Sequence, residues 1–128
     1  MKKKVGRVTF NGVILAAHEY DTVLVLVNEG YDIELLKPSL TKYVKTGDFL
    51  MIGLTWEVKS PVGNSPRTME HVFRKAAHQA HNLIIDLRRT KIADEMAISA
   101  LEQVFGSSRS VKNLWIITKS QEIVKMKK

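Results

Sequence analysis

The chain reads as a mixed α/β protein, one mixed sheet flanked by helices, and three observations predict that class. Its 128 residues suit one domain of ordinary size. Its composition, 45% hydrophobic and 26% charged, is that of a folded globular chain, without repeats or biased tracts. Strand-like apolar runs also alternate with amphipathic helical stretches instead of segregating into halves. Residues 1–128 are expected to form a single domain, with its core over 16–125 and a peripheral segment at 1–15.

Taken in order, Gly6 to Leu15 predicts a short strand or hairpin, with Asn11-Gly12 as the turn between Val8/Phe10 and Val13/Leu15. Ala16 to Asn28 supports two readings. The run Val23-Leu24-Val25-Leu26-Val27 favours a strand by β-branching, whereas Ala16, Tyr20, Val23, Leu24 and Val27 recur at helical spacing. Tyr31 to Leu36 alternates as a strand does, and Thr41 to Gly47 follows as a basic loop. Phe49–Ile52 and Leu54–Val58 flank Gly53 as two strands around a tight connection. From Pro66 the apolar positions Met69, Val72, Phe73, Ala76, Ala77 and Ala80 predict a helix, capped by Ser65 with Pro66 at its first position. Leu83 to Leu87 is apolar enough for a strand buried on both faces. Ala93 to Phe105 predicts a further helix ending at Gly106, before the strands Leu114–Thr118 and Ile123–Met126.

Bulk chemistry narrows the function classes. The absence of cysteine excludes disulfides and thiolate metal sites, so any metal is held by carboxylate, imidazole or carbonyl groups. Twenty Lys and Arg against thirteen Asp and Glu leave a net charge of +7, which suits a polyanionic partner. No run approaches the roughly 20 apolar residues of a membrane span, so no membrane partner is expected.

The chemistry-bearing cluster is Asp48, Glu57 and Lys59. Glu57 and Lys59 are two apart on a strand and share a face, and Asp48 at the start of the neighbouring strand can approach Glu57. Two converging carboxylates repel unless a divalent cation lies between them. An ordinary solvated strand face accounts for the same spacing. Gln79, expected on the following helix at the border of its apolar stripe beside Lys75, could lean toward the trio or be a boundary residue satisfied by backbone. Asp86 inside an apolar strand calls for a partner, and Arg88 on the same face is the nearest. The histidines, at 18, 71, 78 and 81, lack the i, i+4 spacing of a helical metal clamp and read as surface residues or phosphate contacts.

An acid ending one strand, Glu-x-Lys on the next and a Gln-bearing helix before a core strand resemble the PD-(D/E)XK nuclease superfamily. Its restriction-endonuclease-like core is a helix, three strands, a helix and a strand, which implies that Ala16 to Asn28 is the first helix. More narrowly, His18-Glu19, Gly30-Tyr-Asp, Gly47-Asp48, Trp56-Glu-Val-Lys-Ser-Pro61 with Gly63, Gln79 and Asp86-Leu-Arg-Arg89 resemble CdiA-type C-terminal toxin nucleases, several of which cut tRNA. The resemblance implies Asp48, Glu57 and the Val58 carbonyl as ligands of Mg²⁺ or another divalent ion such as Mn²⁺ or Zn²⁺. It implies Lys59 as the catalytic lysine, Gln79 as an auxiliary residue and Glu19 as the first-helix acid. Gly47 stands at a variable position where proline often precedes the acid.

The expectation is therefore a metal-dependent nuclease acting on RNA, tRNA above all, with DNA left open. Phosphate contacts are expected from Ser60, Arg67 and Thr68 near a helix N-terminus and from basic side chains including Lys42, Lys45, Arg74, Lys75, Arg88 and Arg89. A toxin of this kind implies an immunity partner, delivery from another cell and action in the cytoplasm. Two alternatives stay open: a metal-independent RNase of the barnase and colicin type, and a non-catalytic nucleic-acid-binding module.

Overall fold

The computed structural model describes residues 4–37 and 47–128. Residues 41–46 of the expected basic loop lie outside them, and so do Lys42 and Lys45. The elements are β1 (Val8–Thr9), α1 (Ala17–Asn28), β2 (Ile33–Leu35), β3 (Phe49–Met51), β4 (Leu54–Lys59), α2 (Pro66–Ala77), β5 (Asn82–Asp86), α3 (Asp94–Ser107), β6 (Asn113–Ile117) and β7 (Ile123–Lys127). All the strands join one mixed sheet in chain order. β2, β3 and β4 run antiparallel, β4, β5 and β6 run parallel, and β7 closes the far edge antiparallel to β6.

The sheet is buried on both faces. Trp56, Ile84, Trp115 and Ile117 pack with Val23 and Leu26 of α1, while Leu83, Ile85, Leu114 and Ile116 pack with α2 and α3. Strand parity thus splits β5 between two cores, which explains why its residues read as a continuous apolar run. α1 forms as the resemblance implied: its β-branched residues face the sheet, and packing overrides their strand propensity. Glu19 Oε1 accepts the Ala16 N–H at 2.9 Å, one half of a capping box, since alanine has no oxygen to reciprocate. Ser65 caps α2 as expected, accepting from the Arg67 N–H at 3.3 Å.

One local alternative is resolved and two expectations are corrected. The Gly6–Leu15 segment makes its Asn11-Gly12 turn, with φ of 51° and 76°, but no hairpin follows. β1 pairs instead in parallel with β2, and Val13 and Leu15 of the return arm pack against the α1 core. Gly6 N–H donates to the Val27 carbonyl at 2.8 Å, and a Cβ on Gly6 would meet the Tyr31 carbonyl oxygen, so the close approach requires glycine. α2 stops at Ala77, with His78 as its C-cap, so Gln79 is not helical; the Gln79 and Ala80 N–H groups both turn onto the Ala76 carbonyl. The apolar period that runs on to Ala80 reports burial, not backbone geometry. Gly106 lies inside α3 and not beyond its end.

Candidate functional site

β3 and β4 are held in register by Phe49 opposite Trp56, which brings Asp48 to the C-terminal end of β4. Asp48 is tied on three sides. Its N–H donates to the Trp56 carbonyl at 2.7 Å, its own carbonyl accepts from Leu36 N–H at 3.0 Å, and its Oδ2 accepts from Val58 N–H at 2.8 Å. The carboxylate takes the place of a ladder carbonyl where the β3–β4 pairing runs out. Gly47 permits this approach: a Cβ there would stand 2.7 Å from the Trp56 carbonyl oxygen. What the resemblance treats as a variable position is, in this chain, one that only glycine fits.

Glu57 follows on β4 and is 9% exposed. Lys59, two residues on, places Nζ 3.6 Å from Glu57 Oε1. On facing strands the two acids are near enough for the Asp48 charge to act on Glu57. Burial raises the Asp48 carboxyl above its ordinary value; the Val58 N–H opposes the rise and the Glu19 charge adds to it. Burial, and then the Asp48 charge, push Glu57 up to about 7, against the pull of Lys59. Each carboxyl therefore holds its proton to a higher pH than it would in the unfolded chain.

This repulsion predicts a stability effect. Glu57 binds its proton more tightly folded than unfolded, so the penalty is absent below pH 4.5, grows as pH rises, and is complete above about 7. In EDTA at pH 8, Glu57→Gln is expected to stabilise the fold, by on the order of 2 kcal/mol, with no gain at pH 4.5. Urea unfolding at the two pH values checks this, and an equal effect at both would refute the assignment.

Of the remaining predicted residues, some lie toward the trio and others do not. Glu19, at the start of α1, is near enough for its charge to act on Asp48. Gln79 lines a cleft of about 230 Å³ together with Gly47, Thr55, His78 and His81, on the Asp48 side of the hairpin. Ser60 continues β4 past Lys59, and its carbonyl accepts from Arg89 Nη1 at 3.3 Å. Thr68 packs against Gly63, whose carbonyl accepts from the Thr90 hydroxyl. Arg67 stands apart, lining a cleft of about 460 Å³ between α2 and α3 with Glu70 and Arg74, which pair at 2.6 Å. Lys75 is exposed on α2.

Arg88 is committed elsewhere. Its Nε and Nη2 hold the Asp86 carboxylate at 3.0 and 2.8 Å, and the Thr22 hydroxyl donates to the same group at 2.6 Å. The partner expected for Asp86 is present, and Thr22 of α1 is a second that no sequence spacing announced, being 64 residues away. Burial alone would raise Asp86, but the Arg88 and Thr22 hydrogen bonds outweigh it and hold the carboxyl below its usual range. Arg89, not Arg88, is the arginine beside the strand end that carries Lys59. Strand parity already separates the two, since Arg88 shares the face of Asp86 and Arg89 does not.

The family model for the contact-dependent growth inhibition CdiA C-terminal domain matches residues 45–123, well over half of the chain. The chain belongs to this family. The matched span runs from before Asp48 through β6 and thus contains the acid–acid–lysine cluster, Gln79 and the Asp86–Arg88 pair. Among solved structures, a CdiA-CT/CdiI toxin and immunity complex from Burkholderia pseudomallei matches with a TM-score of 0.71 at 18% identity, over 87% of this chain and 83% of that one. At that identity the likeness shows a common fold, the mixed sheet with its three described helices. No curated protein sequence matches the chain. No helix among the described residues is long and apolar enough to cross a membrane.

Proposed function

We propose that this CdiA C-terminal domain is an antibacterial toxin of the PD-(D/E)XK type, a divalent-metal-dependent endonuclease acting on RNA, with tRNA the favoured substrate. The observation that carries the reading is the convergence of the half-buried Asp48 and the buried Glu57 on the β3–β4 pair, with Lys59 at 3.6 Å from Glu57. Family membership, the net charge of +7 and a neighbouring structure titled as a toxin with its immunity protein support it.

The donor set suits Mg²⁺ or Mn²⁺. Asp48 and Glu57 would hold the ion together with the Val58 carbonyl, which leaves its strand on the same side as the N–H that Asp48 accepts. Two carboxylates and a carbonyl leave the further positions to water and a substrate oxygen, as Mg²⁺ prefers. Zn²⁺ fits less well, because it calls for three or more His, Cys or carboxylate ligands and no such group converges among the described residues. When bound, the ion supplies positive charge to the phosphate and lowers the pKa of its water. Lys59 orients the attacking water and balances charge on the phosphate oxygens, as a compact cation held beside Glu57 can. Glu19 adds negative potential from the helix side, and Gln79 borders the cleft from the turn after α2. Arg89 and Ser60 flank the scissile position, while Arg88 braces Asp86.

The test is digestion of total tRNA and of plasmid DNA with Mg²⁺ or with EDTA, beside Asp48→Asn. Cleavage of tRNA is expected with Mg²⁺ alone, and the substitution is expected to lower it at least about 100-fold. Cleavage that persists in EDTA would favour a metal-independent RNase. If no divalent ion supports cutting of either substrate, the proposal fails.

A further inference from the structure

Among the described residues, two aromatic rings stand outside both cores. Phe10 and Tyr20 are 43% and 40% exposed, whereas Phe49, Trp56, Phe73, Phe105 and Trp115 are buried. Their ring centroids are 6.3 Å apart and their planes differ by 16°. Ile14, on the arm that leads into α1, is 95% exposed. Mutual shielding alone leaves unexplained why large rings remain in water with a third apolar side chain nearby.

The pair is built, not incidental. The Asn11-Gly12 turn folds the chain back so that Phe10 lies over α1, with Val13 N–H on the Phe10 carbonyl at 2.8 Å. Asn11 pins the turn by donating to the Leu35 carbonyl at 3.0 Å, and the Lys37 side chain lies across Gly12. Tyr20 is fixed by α1, between Glu19, whose charge acts on Asp48, and Asp21, whose charge acts on Arg88. Asn11 bonds the Leu35 carbonyl and the next residue, Leu36, bonds the Asp48 carbonyl, so the turn that carries Phe10 is tied through β2 to the backbone of the carboxylate cluster, with Lys37 at the turn.

Near-parallel exposed rings in a chain of net charge +7 have the chemistry to take a nucleobase: every base presents a π-face, and basic side chains such as Lys37 at the turn can meet its phosphate. We propose that Phe10 and Tyr20 form a stacking platform for an unpaired base flanking the phosphodiester cut at Asp48, Glu57 and Lys59. The inference rests on the nuclease reading of that site. Its consequence is selectivity for loops and single strands, because a base kept in a continuous duplex cannot offer its face.

The experiment uses the Lys59→Ala chain in EDTA, with a single-stranded RNA oligomer carrying 2-aminopurine and a duplex of the same length. Phe10→Ala and Tyr20→Ala are expected to weaken single-strand binding about tenfold each and to abolish the 2-aminopurine quenching, while duplex affinity changes less than twofold. Tyr20→Trp should keep the quenching, and melting temperatures show whether each variant is folded. Unchanged affinity and quenching in folded Phe10→Ala and Tyr20→Ala chains would overturn the platform, as would equal losses on single strand and duplex or no quenching by the parent. A protein partner on this patch would give that same unchanged RNA binding. The two readings separate: quenching without cleavage by the unmutated chain under any divalent ion removes the nuclease and leaves the platform, whereas cleavage with unaltered binding by the ring variants does the reverse.

Discussion

Lys59→Ala is expected to lower phosphodiester cleavage by about 10³-fold while RNA affinity stays within twofold of the parent. The ammonium group is half-buried and held 3.6 Å from Glu57, so its proposed work is local to one phosphate. It is one of twenty basic side chains, so binding driven by overall charge loses little. Stability should change by less than about 1 kcal/mol, because the pair is loose and partly solvated. Lys59→Arg is not expected to restore the rate, since a planar fork does not replace a compact charge. Single-turnover cleavage of labelled tRNA, paired with filter binding, provides the measurement. A variant that retains more than a tenth of the rate would remove Lys59 from the chemistry.

Asp86→Ala is expected to cost about 3 kcal/mol of folding stability, the largest such loss at any single polar residue discussed. Asp86 is 2% exposed and joins three parts of the fold: β5, the loop bearing Arg88, and α1 through Thr22. Truncation strands the Arg88 guanidinium in a partly buried position without its carboxylate, and that uncompensated charge dominates the cost. The double substitution Asp86→Ala, Arg88→Met should recover most of the loss, because neither charge then remains. The sign with pH is set by the lowered carboxyl: the contribution is complete above the ordinary aspartate value of 3.8 and is lost as pH falls below it. Urea unfolding at pH 7 and at pH 3 reads both effects; a loss under 1 kcal/mol at pH 7 would show that the bridge is dispensable.

The Asp86 bridge also marks where reading the chain stops. Arg88 is recoverable from strand parity, two residues from Asp86 on the same face. Thr22 is not, because its approach depends on how α1 lies across the sheet. The same holds at the carboxylates. Parity puts Glu57 and Lys59 together, and a tight connection at Gly53 lets Asp48 approach Glu57; the structure sets the register through an Ile52-Gly53 turn with Phe49 opposite Trp56. That Asp48 closes onto the Val58 N–H, and that only glycine fits before it, depends on a close backbone approach to Trp56 that no spacing encodes.

Helix ends tell a similar story. Ser65 and Pro66 announce the start of α2 because a cap is a local hydrogen bond between near neighbours. Its end is less legible, since burial of Ala80 continues the apolar period after the backbone has turned at Ala77. Gln79 consequently meets the cleft from a turn. The Gly6–Leu15 arm shows the converse, where a turn signal was honoured but the strand beyond it found better burial against α1 than against its own other arm.

By itself the sequence determined what short-range physics can carry: the alternation of strands and helices, the buried central strand, the caps, the pairing of Glu57 with Lys59 on one face, and the basic charge. α1 marks the boundary of that reach, because its residues satisfy two periods equally and only packing against the sheet selects the helix. The tertiary structure alone decided which distant groups meet: Thr22 with Asp86, Arg89 with Ser60 and Phe10 with Tyr20. Periodicity assigns a side chain to a face, whereas contact between elements depends on how those faces are stacked, and that is set by the two cores as a whole.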